Sequence, residues 1–419
     1  MATLETARAP PGFRPDPAVI ILCGCAIALL SFGPRSAMGF FLAPMSQENH
    51  WGRDVFSVAL AVQNLLWGAA GPFAGAFADR YGAVRVIAGG AVLYTLGLAL
   101  MAVSRTPGML DLSAGMLVGF GLAGCSFTIV LGAFGKLLPE RLRPVAFGAG
   151  TAAGSFGQTL FSPLAVAFKD AFGWQGALVM FALLCLAILP LSLVLATPRN
   201  VPAPSSRTSP AHPWPAQAQT MTQALFEALR CRSYLYLTLG YFTCGFQLAF
   251  ITVHMPPYLV DHGMSAAVGG MTLAVIGFFN VIGSLGSGFL SARMPKRYLL
   301  SAIYLIRAVA VLLFITVPVT PVSALVFGAV MGLTWLSTVP PTNGLVVVMF
   351  GTRWLSMLAG FAFLSHQAGG FLGVLIGGWT YERTGSYDLV WELSMLFGVL
   401  SALINLPIVE KPVPRPVPA

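Results

Sequence analysis

Apolar residues in this chain gather into long uninterrupted runs rather than short alternating stretches, and roughly 20 such residues are what a helix needs to cross a bilayer core. Runs of that kind predict twelve membrane-spanning helices. The first six cover about Ala18 to Ala43, Val55 to Phe77, Val84 to Ser104, Leu112 to Phe134, Pro144 to Phe168 and Trp174 to Ala196. The second six cover about Tyr234 to Met255, Ala266 to Leu290, Tyr298 to Val317, Val322 to Phe350, Ser356 to Thr380 and Tyr387 to Ile408. Between the sets lies a segment rich in Pro, Ser and Ala, carrying Pro202, Pro204, Pro210, Pro213 and Pro215, which reads as a linker. The expected plan is an all-α membrane protein with a tail over 1–17, a six-helix bundle over 18–196, a linker over 197–233, a second six-helix bundle over 234–408 and a tail over 409–419.

Composition agrees with the pattern. Of 419 residues 57% are hydrophobic and 9% charged, against roughly 25% charged in soluble domains, which excludes a water-soluble fold. The polar leader with Arg8 and Arg14 resembles the start of a signal peptide, but the run after it is long and has no obvious A-x-A cleavage site, so it reads as a retained helix. At the end of the linker, Met221 to Leu229 sets Leu225, Phe226 and Leu229 on one helical face, as in a helix lying along the membrane surface.

The net charge of +9 falls in short basic clusters between runs, which points to topology rather than to a nucleic-acid partner. With the N-terminus placed in the cytoplasm, 17 of the 23 Lys and Arg residues lie in inside segments and four, Arg53, Arg105, Lys169 and Arg383, lie outside. The remaining two, Arg35 and Arg307, lie within helices. Both termini are therefore expected on the cytoplasmic side of the plasma (inner) membrane. The six cysteines form no CxxC or Cys/His array, and no nucleotide loop or G-x-S-x-G elbow occurs, so no enzyme, cofactor or metal is expected.

The loop after the second run has a counterpart after the eighth: Gly75-Ala-Phe-Ala-Asp79-Arg80-Tyr-Gly82-Ala-Val-Arg85 stands over Gly288-Phe-Leu-Ser-Ala292-Arg293-Met-Pro295-Lys296-Arg297. The first copy resembles the G-x-x-x-D-R-x-G-R-R loop of the major facilitator superfamily, and helix count and linker position extend the resemblance over nearly the whole chain. It implies that Gly75, Asp79, Arg80, Gly82 and Arg85 belong to a latch that closes the cytoplasmic side. Partners for Asp79 are expected among Arg141, Arg143 and the start of the eleventh helix near Ser356. In the second copy Arg293 remains, but Ala292 replaces the carboxylate and makes the latch one-sided.

Three further stretches resemble the monocarboxylate transporter and oxalate/formate exchanger branch. They are Val253-His254 through Met264-Ser265, Ile276 through Gly283, and Phe363-Leu-Ser-His366-Gln367 with Gly378 and Gly385-Ser-Tyr387. Animal monocarboxylate carriers place an Asp and an Arg one turn apart in the eighth helix. The matching positions here are Asn280 and Ser284, so that ion pair does not carry over. The exchangers' eleventh-helix Lys falls at His366 or Gln367.

None of the 14 acidic residues lies deep in a run, so positive charge dominates the membrane interior, where an ionised side chain marks a functional position by default. Arg35 follows Gly33 and Pro34, which loosen the first helix, and its guanidinium suits a carboxylate in a cavity; the alternative is snorkelling to headgroups. Arg307 lies too deep to snorkel and meets either substrate or a neighbouring backbone. His366 is a candidate proton carrier beside Gln367. Asn64 and Trp67 in the second run, Gln158 in the fifth, Gln247 in the seventh and Asn280 in the eighth are candidates for the cavity wall, or for bonds between helices. Trp335 and Thr338 to Asn343 interrupt the tenth run, as in a bent gating helix or a packing kink.

The expected function is secondary active transport of a small organic anion, a mono- or dicarboxylate, by alternating access, with a proton or a counter-anion as coupling ion and a monomer in the bilayer as the working unit. The alternatives are an exporter of drugs or other amphiphiles and, from another class, a non-transporting membrane sensor or scaffold.

Overall fold

The computed structural model describes residues 15–51, 53–197 and 219–414, and every regular element in them is helical. The expectations for Arg8, Arg14, the Pro-rich stretch through Pro215 and Arg415 lie outside the described residues. The first half consists of α1 (Pro17–Ser36), α2 (Gly39–Asn49), α3 (Arg53–Tyr81), α4 (Ala83–Ala102), α5 (Pro107–Leu110), a π-helical stretch (Asp111–Leu117), α6 (Val118–Cys125), α7 (Phe127–Leu137), α8 (Arg143–Leu186) and α9 (Ile188–Val194). After α10 (Met221–Arg230), the second half has α11 (Arg232–Asp261), α12 (Ala266–Arg293), α13 (Lys296–Thr316), α14 (Pro321–Thr334), α15 (Val339–Phe350), α16 (Leu355–Thr384) and α17 (Asp388–Asn405).

Local chemistry explains where the runs bend. Pro34 supplies no N–H, so α1 ends two residues later and the first run continues as α2 after a turn at Ala37 and Met38. Ser126, at ψ 151°, parts α6 from α7. The fifth and sixth runs meet at Gly173, whose φ of +71° only glycine adopts without strain. Ten stretches are long and apolar enough to cross a membrane among the described residues. The stretch 140–194 holds two crossings joined at Gly173, and α3 completes the twelve. The surface helix α10 opens with a Thr220–Gln223 capping box and leaves Met221, Phe226 and Leu229 exposed.

Hydrophobicity gives helices no reason to leave lipid for one another, so the packing relies on small residues that let backbones touch. Along the α11–α16 seam, Gly245 meets the His366 carbonyl, Gly369 that of Phe242 and Gly373 that of Phe246, each with no room for a Cβ. The two halves meet through α3 on α16 and α8 on α12. Here the repeated loops are visibly equivalent. Gly75 presses on the Ser356 carbonyl, and a Cβ on Gly288 would come within 2.8 Å of the Pro144 carbonyl oxygen and 2.9 Å of Gly148 Cα. Both contacts lie at the end that carries the basic loops, hereafter the basic end.

Candidate functional site

Arg35 ends α1, where a cation complements the carbonyl end of the helix dipole. Its Nη2 donates to Asn64 Oδ1 on α3, and its guanidinium carbon lies 4.7 Å from the centre of the Trp67 ring. Asn64 is oriented for this because its amide nitrogen donates to the Leu60 carbonyl at 3.0 Å. Trp67 packs edge-on against Phe32 at 5.5 Å and tilts against Phe363 of α16 at 5.1 Å, while Phe363 meets Phe127 at 5.2 Å and stacks on His366 at 5.4 Å. His366 Nδ1 lies 3.3 Å from Gln367 Oε1, and Gln367 Nε2 reaches the Asn64 carbonyl at 3.5 Å. Arg35, Asn64, Trp67, His366 and Gln367 therefore converge where α1, α3 and α16 meet.

This cluster contains buried polar atoms without partners: Arg35 Nε, Trp67 Nε1 and His366 Nε2. Among the described residues Arg35 joins no carboxylate. Buried donors are normally satisfied, since leaving one unpaired costs about 1–3 kcal/mol. Two unpaired donors on one guanidinium–indole pair can take up an acceptor, and the guanidinium favours one with negative charge.

A second polar cluster lies inside the second half. Arg307 on α13 is 0% exposed; its Nη1 donates to Gln247 Oε1 at 3.4 Å and its Nη2 to the carbonyls of Thr334 and Trp335. Those carbonyls close α14, where the tenth run breaks over 335–338, so the guanidinium caps a helix end that lacks its own bonds. Gln247 in turn donates to the Ser394 carbonyl at 2.8 Å. Asn280 donates to Ser155 Oγ at 2.8 Å across the two halves, and its Oδ1 accepts from Leu336 N at 3.1 Å and Ser284 Oγ at 3.2 Å. Arg307, Gln247 and Asn280 each make bonds between helices. Gln158 is half-buried on α8, one turn beyond Ser155.

At the basic end, the Asp79 carboxylate accepts from Lys136 Nζ at 2.6 Å and from Met357 N at 2.9 Å. Met357 is the third residue of α16, so Asp79 caps a helix of the opposite half, at the expected place near Ser356. The base is Lys136 rather than Arg141 or Arg143. Arg141 is exposed; Arg143 Nε donates to the Leu138 carbonyl at 3.1 Å and its head lies 3.8 Å from Glu140. Arg85 and Arg293 are exposed, and Arg80 sits over the Tyr81 ring at 5.1 Å. Gly82, at φ +98°, turns the chain from α3 into α4, where Ala83 N donates to Thr197 Oγ1 at 3.0 Å.

Sequence reasoning treated Lys136 only as a topological charge, because nothing in its neighbours reveals a partner 57 residues away. It also passed over Glu48, which gathers Arg105 and Trp174 Nε1, each at 2.6 Å, and Gln175 at 3.1 Å beyond the far end of the spans. The Arg105 hydrogen bond, followed by that from Trp174, holds the Glu48 carboxyl below the usual range.

The family model for the Major Facilitator Superfamily matches residues 24–374. An MFS-type transporter of Bacillus subtilis, YcxA, is 28% identical over 393 residues, covering 92% of this chain and 93% of that one. Monocarboxylate transporter 11 of Homo sapiens is 27% identical over 413 residues, with 94% and 83% covered. Among solved structures, the E. coli fucose:proton symporter FucP superposes with a TM-score of 0.72 at 15% identity, covering 93% of this chain and 98% of that one, a likeness of fold.

Proposed function

The chain belongs to the Major Facilitator Superfamily, as a multi-pass membrane transporter and not an enzyme, and on that premise we propose that it carries a small organic anion, a mono- or dicarboxylate, by alternating access. The observation that carries this reading is Arg35, which has no carboxylate partner among the described residues and has its Nε unpaired beside the unpaired Trp67 Nε1. A substrate carboxylate offers a guanidinium two parallel acceptors and restores the bonds that burial has cost. Phe32, Phe127 and Phe363 form an apolar wall for the rest of a small acid. The likeness to a monocarboxylate transporter supports the same class.

In this reading Asn64, Trp67 and Gln367 hold Arg35 and the substrate in place, and Arg307, Gln247 and Asn280 keep the surrounding helices in register. The basic end faces the cytoplasm, with both termini there and the protein acting as a monomer in the plasma membrane. Contacts between the halves run from Gly75–Ser356 through Pro72–Gly360 to Asn64–Gln367, and from Gly148–Gly288 to Ser155–Asn280. Closure over the basic half of both helix pairs corresponds to a carrier loaded from outside. Asp79, on Met357, is the latch of that state. A proton, with His366 as the carrier, or a counter-anion moves with the substrate.

Counterflow in proteoliposomes with a panel of labelled mono- and dicarboxylic acids, at two pH values, tests the proposal. Exchange of at least one acid, lost in Arg35→Gln, is the expected result. Failure of every acid, together with uptake of a neutral or cationic compound, refutes it.

A further inference from the structure

The second polar cluster holds a full positive charge with no acid beside it. The Arg307 guanidinium does not deprotonate in proteins, it is 0% exposed, and its Nε has no partner. Taking such a charge out of water costs several kcal/mol, of order, and the carbonyls of Thr334 and Trp335 offset only part of that.

The titratable groups around Arg307 are Cys244 and Tyr241 on α11 and Tyr304 on its own helix, and His366 on α16 faces Cys244. The Trp335 carbonyl, at the break in the tenth run, meets both Arg307 and Cys244, Thr338 meets Cys244, and Gln247 completes the shell of Arg307. Of the groups that can become negative, a thiol is the strongest acid, ordinarily about 8.5 against about 10 for a phenol. Cys244 is fully buried, with Sγ 3.4 Å from Thr338 Oγ1 and 3.7 Å from the Trp335 carbonyl oxygen. Its neighbour Gly245 lies directly on the His366 backbone, and across this α11–α16 seam the thiol interacts with the imidazole. His366 Nδ1 lies 3.3 Å from Gln367 Oε1, a contact that suits the tautomer with its proton on Nδ1. The lone pair of Nε2 is then left buried and unpartnered.

We propose that Cys244 is the binding site of the coupling proton, a thiol when loaded and a thiolate paired with Arg307 when empty, and that His366 Nε2 relays the proton to the central cavity. In the transfer the S–H bond breaks and its electron pair stays on sulfur, facing Arg307. The proton forms an N–H bond at Nε2, and the resulting imidazolium passes it to cavity water or to the substrate carboxylate. The imidazole also stacks on Phe363, which touches Trp67, so occupation of the Arg35 site and protonation of the relay share one wall. This deepens the anion-carrier reading and rests on it.

Cys244→Ser keeps the size of the side chain and its hydrogen bonds but removes the ionisable thiol. In proteoliposomes with labelled pyruvate as probe, the variant is expected to retain exchange without a pH gradient and to lose accumulation driven by one. The acid-minus-alkaline infrared difference spectrum of the ligand-free protein is expected to contain an S–H stretch that Cys244→Ser lacks. Cys244→Ala serves in the same measurement if the serine variant does not assemble. Wild-type accumulation in Cys244→Ser, or superimposable spectra, overturns the proposal. Wild-type protein that exchanges no acid of the panel refutes the carrier reading instead, and the infrared comparison still decides Cys244.

Discussion

Neutralising the latch without changing its shape, by Asp79→Asn, is expected to open the basic end. Lys136 and the first turn of α16 hold the carboxylate, and they act differently. Lys136 lies on α7, in the same half as Asp79, so that ion pair survives when the halves part and supports the fold of the first half. Met357 N, at 2.9 Å, and the Ser356 hydroxyl belong to the other half, so their bonds, with the N-terminal dipole of α16 behind them, distinguish the closed state. Exchanging a charged acceptor for a neutral one weakens such a bond by about 1 kcal/mol. The lost interaction with the helix dipole adds about 1 kcal/mol in a partly buried geometry. The sum, about 2 kcal/mol, moves the closed–open equilibrium by roughly 30-fold. Met357 is 1% exposed, so a cysteine placed there in a background without the native cysteines reports opening through its alkylation rate. That rate should rise by about the same factor in Asp79→Asn, whereas Lys136→Gln should lower thermal stability with a smaller effect on labelling. A rate within about twofold of the parent in Asp79→Asn would mean that the cap contributes nothing to closure.

Three further outcomes follow from other parts of the molecule. Arg35→Gln should abolish transport while the protein still reaches the membrane, and Arg35→Lys should retain a fraction of it, since lysine keeps the charge but not the fork; wild-type uptake in Arg35→Gln would refute the anion site. Ala292→Asp should give α8, whose N-terminus has no side-chain cap, a carboxylate equivalent to Asp79, favouring closure by about 1 kcal/mol and slowing alkylation of the Met357 reporter, where an unchanged rate would deny the repeat a functional role. Because Glu48 is held below its ordinary range, its contribution to stability is present above about pH 4.3 and is lost as pH falls through the lowered value. Thermal unfolding followed from neutral to acid pH should therefore show a loss that Glu48→Gln abolishes, and identical profiles would remove the Arg105 and Trp174 contacts from the account.

Span positions and the two six-helix halves were legible in the one-dimensional pattern, because the bilayer imposes a minimum apolar length and basic residues mark the loops. The resemblance of the Gly75–Asp79 loop to the superfamily motif implied a partner for Asp79 near Ser356, where Met357 N donates to it. Which polar residues face a cavity was not legible. Helices in lipid pair through small residues and backbone contact rather than through an apolar stripe, so periodicity does not say which side of a span meets protein. Only the packing of α3 on α16 brings Trp67 to Phe363, and only the break after Thr334 exposes the carbonyls that Arg307 caps. Arg35 and Arg307 look alike along the chain, each a lone cation in an apolar run. Tertiary structure separates them, because Arg307 caps the carbonyls at the end of α14 inside one half, whereas Arg35 sets its unpaired donor beside that of Trp67, on an aromatic wall shared by the two halves.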